Sequence, residues 1–312
     1  MEKTKKPWWV KLISAIAGII IFVALVLVGI WAFFKIKYDV NLISTISQVK
    51  TLNSEVNESE KFPNAFNISD MESAKLAINA KSADLVTGNA TDGYTIRTGS
   101  GLNALTGEIK LTDKQIAAII DNLMHEDGNS ATVQIGDKSL QIKLVQVNFV
   151  NIEEKSADVN IVIKLNTKEI KDSMSSFPLS MVSKYVPDVL YFSSTVTVTK
   201  LEGQFNYKIE SKELAVNNLT AEETQEFVKV LNMALHCGTA DELCLSLGSP
   251  FINALIGNEE NNGFAYSLKG LGATDYDFVI EGETKYYVIK IAGWKPAFFN
   301  QIIKKYDFYR IF

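Results

Sequence analysis

The residues of this chain best suited to bind a metal or to act as a nucleophile are two histidines and two cysteines. We expect neither a second histidine nor a carboxylate at ligand spacing on the same helix face as His125 or His236. His236, Cys237 and Cys244 lie close in sequence, but they lack a fourth ligand and a C-x-x-C pair. The pattern therefore predicts neither a metal site nor a cofactor.

The two cysteines leave two arrangements open. On one continuous helix, Cys237 and Cys244 would lie about 10 Å apart, which is too far for a disulfide. Gly238 is expected to end one helix, and Thr239 with Glu242 to cap the next, so a bend could bring the thiols together. The alternatives are a disulfide, which would persist outside the cytoplasm, and two buried free thiols.

Sequence motifs give no support for catalysis. The chain has no G-x-S-x-G nucleophile elbow, P-loop or G-x-G-x-x-G fingerprint, and Gly270-Leu271-Gly272 alone indicates a turn. Acidic residues such as Asp113 and Glu222 fall in the first turns of predicted helices, where carboxylates favour the helix dipole. We therefore predict no catalytic residues, and an enzyme with a site assembled from dispersed residues is the least favoured hypothesis.

An uncharged apolar stretch, Leu12–Phe34, dominates the N-terminal part of the sequence. As a helix it would be roughly 35 Å long, enough to cross a hydrocarbon core of about 30 Å. Trp8 and Trp9 precede it and Trp31 lies near its end, where aromatic rings favour the membrane interface. The sequence predicts a single transmembrane helix, and no small-x-small motif follows it to mark a signal-peptide cleavage site.

Charge sets the expected orientation and excludes one class of partner. Four lysines precede the predicted span and two follow it, namely Lys3, Lys5, Lys6 and Lys11 against Lys35 and Lys37. This excess predicts a single-pass protein of the cell membrane with residues 1–11 as a cytoplasmic tail and the bulk of the chain extracytoplasmic. Beyond the span, acidic residues outnumber basic ones, so nucleic acid is not an expected partner.

The exported part divides into a linker, a domain and a tail. Residues 35–68 are predicted to form a helical stalk or linker, because apolar residues recur at three- and four-residue steps through 41–60. Packing of that helix on the domain is the alternative to a free stalk. Residues 69–294 are predicted to form an extracytoplasmic α+β domain, in which residues 80–107 supply loops and short edge strands.

Helix starts are indicated by four Ser/Thr-x-x-Glu/Gln pairs with the spacing of a capping box. These pairs are Ser69/Glu72, Thr112/Gln115, Thr220/Glu223 and Thr239/Glu242. Apolar residues then recur at helical spacing after Thr112 and, as far as Leu235, after Thr220. Ser249-Pro250 predicts one further helix start, which would continue to Ile256 with proline at its first position.

The apolar period changes to two between these helices, which predicts strands. A Gly136-Asp137 turn joins 133–135 to 140–144 in a predicted hairpin. Further runs follow at Val145–Val150, Ala157–Leu165, Val189–Thr199 and Gln204–Ile209, and late strands are predicted at Phe264–Leu268, Tyr276–Ile280 and Lys285–Ile291. The long runs and short turns predict a long-stranded antiparallel meander packed on amphipathic helices.

Two segments resemble bacterial tubular lipid-binding (TULIP-like) envelope proteins, in particular the membrane-anchored YpmS-like and AsmA-like group. Leu111–Ile116 resembles the opening helix of that family, and Lys200–Asn232 resembles its strand, polar turn, strand and helix segment. The resemblance covers roughly residues 100–257. It implies a curved antiparallel sheet wrapped round a helix, with an apolar groove left for acyl chains.

The groove candidates are apolar residues of the helix after Thr112 and of the inner face of the meander. They are Ile116, Ile119, Ile120, Leu123, Val133, Ile135, Leu140, Ile142, Leu144, Val159, Ile161 and Ile163. The same residues would form an ordinary core if a helix sealed the sheet, and the sequence leaves both alternatives open.

Two functional hypotheses follow. In the first, the anchored domain binds or shields lipid acyl chains, so that membrane lipid is its partner. In the second, it is a non-enzymatic scaffold or interaction protein of a cell-envelope or secretion complex, with other envelope proteins as partners. Residues 295–312 are predicted to form an aromatic C-terminal helix that docks on the domain, with the membrane interface as the alternative.

Overall fold

A computed structural model describes residues 28–29, 32–33, 35–37, 48–97, 102, 104–105, 107–125, 131–176 and 180–292 of the chain. Most of the predicted span Leu12–Phe34 and the whole predicted helix 295–312 lie outside these residues. Within the described part of the chain, no helix is both long and apolar enough to cross a membrane.

The described domain is α+β. Its helices are α1 Glu58–Lys61, α2 Ile68–Asn79, α3 Asp113–Met124, α4 Lys168–Ser173, α5 Ser180–Ser183, α6 Ala221–Leu235, α7 Ala240–Leu255 and α8 Phe264–Ser267, followed by a 3-10 turn at Leu268–Leu271. Its strands are β1 Val86–Asn89, β2 Gly93–Ile96, β3 Ile109–Thr112, β4 Thr132–Ile135, β5 Lys138–Ile152, β6 Ser156–Asn166, β7 Val189–Lys200, β8 Tyr207–Val216, β9 Ala273–Glu281 and β10 Thr284–Ile291.

The predicted meander is confirmed as a curved five-stranded antiparallel sheet with the order β4-β5-β6-β7-β8. Gly136, at φ +55°, makes the tight turn from β4 to β5. The runs 140–144 and 145–150, predicted as separate, belong to the single strand β5. Its register shifts between Leu144 and Gln146, and this irregularity moves the buried set from even-numbered to odd-numbered residues.

Helix α7 occupies the concave face of this sheet, where it packs against β4, β6, β7 and β8. The helix begins at the predicted Thr239/Glu242 capping box and continues to Leu255. The helix start predicted at Ser249-Pro250 is therefore wrong, because Pro250 lies inside α7 on its half-buried outer face. A Cβ on Gly248 would lie 2.7 Å from Val196 Cγ1, so α7 and β7 are in close backbone approach.

A three-stranded antiparallel sheet, with the order β3-β10-β9, packs beside the larger one. Its inner face carries Tyr276, Phe278 and Tyr287, and Phe278 meets Phe149 of β5 edge to face at 5.3 Å. The strand predicted at Phe264–Leu268 is wrong, since this stretch forms α8 and the start of the 3-10 turn. Phe264, Ala265 and Leu268 are all buried, and their spacing is that of a helix face.

The capping boxes at Thr112, Thr220 and Thr239 are confirmed, each with both reciprocal hydrogen bonds. Helix α2 is also present, but its cap is Asn67 with Asp70, so the predicted Ser69/Glu72 cap is wrong. Glu72 instead accepts a hydrogen bond from Tyr94 Oη at 2.6 Å.

The segment 48–66, called the strap here, packs on the convex face of the five-stranded sheet. The continuous helix predicted over 41–60 is wrong at residues 53–57, which are not helical, and residues 41–47 lie outside the described chain. Phe62 packs with Val145, Val162 and Tyr191 in an apolar cluster on the convex face. The alternatives for this segment were a free stalk and packing on the domain, and the structure shows it packed on the domain.

Polar contacts fix the strap in place. Asn217 is buried on the sheet and donates to the Leu52 carbonyl at 2.8 Å. Glu58 accepts hydrogen bonds from Lys164 at 2.7 Å and from Tyr191 Oη at 2.6 Å. These two bonds, with that from Lys164 the larger contribution, lower the pKa of Glu58 below its ordinary value of 4.5.

We expect Gly248→Ala to lower the free energy of unfolding by roughly 1–2 kcal/mol. Overpacking against Val196 and Ser194 costs about 1–3 kcal/mol, whereas alanine gains only about 0.5–1 kcal/mol as the better helix former. Urea unfolding followed by circular dichroism measures the change. Gly270→Ala is the control, because a Cβ there meets nothing within 4 Å and should leave stability unchanged or slightly raised. Equal stability of both variants would contradict the close approach.

The strap should make stability depend on pH through Glu58. Because its folded pKa is lowered, its contribution is present above pH 4.5 and is lost as the pH falls through the folded value. The stability difference between the natural chain and Glu58→Gln should therefore shrink as the pH falls from 6 to 3. Glu60→Gln, at an exposed position of the same helix, serves as the control. A difference that does not change with pH would argue against this ion pair.

Candidate functional site

The groove candidates come together, but in a filled core. Eleven of the twelve are buried, and Leu123 is half-buried and packed against them. Leu247, Phe251 and Leu255 of α7 belong to the same cluster, so the inner face of this helix occupies the space that the sheet encloses. The placement is that of a packed hydrophobic core.

The two cysteines are buried free thiols. The predicted bend is present, since His236 ends α6 in the left-handed region at φ +53° and Gly238 follows at φ +76°. It does not join the thiols. Cys244 faces the sheet, where its Sγ donates to the carbonyls of Thr195 at 3.4 Å and Glu213 at 3.3 Å.

A shallow cavity of about 500 Å³, called the cleft here, lies on the open side of the curved five-stranded sheet, next to its edge strand β4. One wall is the outer face of α7, and the other walls are β4, its turn and the bend between α6 and α7. The lining residues are Gln134, Gly136, His236, Cys237, Gly238, Glu242, Leu245, Ser246, Ser249, Pro250 and Asn253. The inner and outer faces of α7 thus have different roles, since one fills the core and the other lines the cleft.

The titratable groups of the cleft are not arranged for nucleophilic catalysis. Burial, reinforced by the charge of Glu242, raises the pKa of the Cys237 thiol to about 11, whereas a reactive cysteine needs a lowered pKa. His236 Nδ1 lies 2.7 Å from Asp137 Oδ2, but both side chains are 72% exposed, which makes their attraction weak. Glu242 accepts a hydrogen bond from the Thr239 backbone as part of the helix cap.

The polar groups of the cleft suit recognition of a peptide or another polar surface. The amide of Asn253 marks one end of the cleft, where its Oδ1 accepts from Tyr207 Oη at 2.7 Å. Gln134 offers a second amide on β4, and Leu245 and Pro250 supply half-buried apolar surface between them. Such a mixture of apolar surface and a few polar groups is typical of binding sites.

No group of three or more His, Cys, Asp and Glu side chains within the described ranges could hold a metal ion. Sequence reasoning missed one pairing. Asp121 precedes His125 by one helical turn, and its carboxylate lies 3.7 Å from His125 Nδ1 at the C-terminal end of α3. The i, i+4 spacing was the available signal. The expectation that the chain has no S-x-x-K motif is also wrong, because Ser47 and Lys50 have that spacing, although Ser47 lies outside the described residues.

Sequence reasoning also missed a buried tyrosine cluster. Burial raises the pKa of Tyr207 to about 12, and it also raises the pKa values of Tyr276 and Tyr287 above their ordinary value. The hydroxyls of Tyr276 and Tyr287 have no hydrogen-bond partner among the described residues. Their sequence pattern is that of ordinary apolar strand positions, so nothing in it signals buried hydroxyls.

Comparison of the chain with protein-family models, with curated proteins and with solved structures finds no match.

We expect both cysteines of the native chain to react slowly with a thiol reagent such as iodoacetamide at pH 7.5. Both are buried, and the raised pKa of Cys237 leaves very little thiolate at that pH. A cysteine placed at the exposed Lys208 position should react at least a hundredfold faster and is the control. In guanidinium without reductant, two thiols should titrate. Fewer than two would indicate a disulfide, and rapid native labelling of Cys237 would contradict its raised pKa.

Proposed function

We propose that this protein is a membrane-anchored, extracytoplasmic scaffold or interaction protein of the cell envelope, which acts by binding other proteins and performs no chemistry. In this proposal Leu12–Phe34 is the anchor, the N-terminus is cytoplasmic and the α+β domain lies outside. One observation favours a scaffold over a lipid carrier, namely the position of α7 in the concave face of the sheet.

A lipid carrier needs an apolar space that is open to an acyl chain. Here Val159, Ile161 and Ile163 of β6 are each 1% exposed, and they share one core with the inner face of α7. An acyl chain could enter only if α7 moved away from the sheet. That movement would break the contact of Gly248 with Val196 and the hydrogen bond from Ser194 Oγ to the Cys244 carbonyl at 2.8 Å.

The position of the strap favours the proposal of a scaffold that is held close to the membrane. Residues 35–47 separate the predicted anchor from the strap, and even fully extended they would reach at most about 45 Å. Because the strap is fixed on the convex face by Phe62, Glu58 and Asn217, the domain would have a restricted orientation relative to the membrane. A positioned domain whose main sheet is covered by α7 on one face and by the strap over part of the other presents its remaining surface to partners.

Lipid binding is the second candidate, and one observation favours it. The curved antiparallel sheet wrapped round a helix is the arrangement that the resemblance to tubular lipid-binding proteins implies. In this alternative, α7 would be a plug that an acyl chain displaces, and the twelve groove candidates would line the space that it leaves.

Photo-crosslinking to lipid in living cells should separate the two candidates. Cells that express the full chain are fed a photoreactive, clickable fatty acid, and adducts are mapped by mass spectrometry after irradiation. We expect adducts on peptides from the anchor, which act as the internal positive control, and none on α3 or β4–β6. Adducts at residues such as Ile120 or Ile161 would reject the scaffold proposal in favour of a lipid groove.

A further inference from the structure

We propose that the cleft is the docking site of the chain's own C-terminal segment, residues 293–312. This goes beyond the scaffold function, because it assigns an occupant to one surface of the domain whatever partner the rest of the domain binds. Three observations support it, namely the chemistry of the cleft, the composition of the segment and the place where the described chain ends.

The cleft combines apolar surface with negative charge. Leu245 and Pro250 are half-buried on the outer face of α7, and Glu242 lines the same wall. Asp137, which follows the lining residue Gly136 in the chain, is exposed. Among the described lining residues, His236 is the one basic side chain, and Asp137 accompanies it. An occupant that fits this surface is both apolar and cationic.

The C-terminal segment has that composition. Phe298, Phe299, Ile302 and Tyr306 recur at three- and four-residue spacing. Lysines and an arginine accompany them, at Lys295, Lys304, Lys305 and Arg310, against the single acid Asp307. Aromatic side chains would gain by leaving water in the cleft, and the basic residues complement its acidic rim.

A series of backbone contacts connects the end of the described chain to the C-terminal end of α7. Ala292 follows β10, and its N–H donates to the Gly272 carbonyl at 3.2 Å. The segment before Gly272 is fixed to the end of α7, because Tyr266 N donates to the Ile256 carbonyl at 2.9 Å. Gly263 lies against the Asn253 carbonyl, so close that a Cβ on it would come within 2.1 Å. Asn253 is the cleft residue nearest to the C-terminal end of α7.

The lengths are compatible. The wall of α7 from Asn253 to Glu242 is about 16 Å long, at 1.5 Å per residue. Residues 293–312 would extend roughly 30 Å as a helix and roughly 66 Å as an extended chain. The extended segment is thus longer than the wall of α7 by roughly 50 Å, which is available for the connection from Ala292. A tethered segment also has a high effective concentration at a site within its reach, which favours it over a free peptide of the same sequence.

Protection of a cysteine in the cleft tests the proposal. Ser249→Cys is introduced into the full chain and labelled with a maleimide, both in membranes and after purification in detergent. We expect labelling at least tenfold slower than in two altered chains, one ending at Ala292 and one carrying F298S, F299S, K304E and K305E. The Lys208→Cys control, on the exposed strand β8, should react at the same rate in all three chains.

The outcomes are distinct. Equal labelling of Ser249→Cys in the full and altered chains overturns the proposal. Protection that is lost on purification, although the segment is intact, also overturns it and assigns the cleft to the membrane or to a separate partner. If the shortened chain fails to fold, which faster labelling at Cys244, a buried residue outside the cleft lining, would reveal, the fourfold-substituted chain decides the question. The lipid crosslinking result does not affect this test.

Discussion

The contact between α7 and β7 is the constraint on which the rest of the domain depends. A five-stranded sheet can curve round a single helix only if the helix lies against it along its length. Gly248 permits this, because any side chain there would overlap Val196 and Ser194. Ser194 then donates to the Cys244 carbonyl, so a buried hydroxyl is satisfied and the helix is aligned on the strand. The helix position in turn determines which apolar residues form the core and which line the cleft.

The convex face is covered in a different way. Strands β5, β6 and β7 turn Val145, Val162 and Tyr191 outward, where water would otherwise reach them. The strap covers this patch with Phe62, and the side chains of Glu58 and Asn64 bond to Lys164 and Asn148 of the sheet. The segment nearest the predicted anchor is therefore part of the folded domain.

Local patterns predicted most of the elements, and tertiary contacts explain the failures. Capping boxes at Thr112, Thr220 and Thr239 and the period-two runs depend on neighbours in sequence, so they could be recognised directly. The local pattern predicts a helix start at Pro250, which is wrong. The position of Pro250 on the outer face of a longer helix depends on where the sheet lies, and its neighbours in sequence do not show this. The phase change within β5 has the same origin, since the irregularity after Leu144 is visible only in its pairing with β6.

The nature of the site could not be predicted for a related reason. A sealed core and a lipid groove require the same valines, leucines and isoleucines on the same face, and they differ only in what lies opposite. The answer depends on α7, whose sequence has two usable faces. Its inner residues, such as Leu247 and Phe251, complete the core, and its outer residues line the cleft. The content of the curved sheet is therefore determined by the helix that lies opposite it, which the alternating pattern of the strands does not specify.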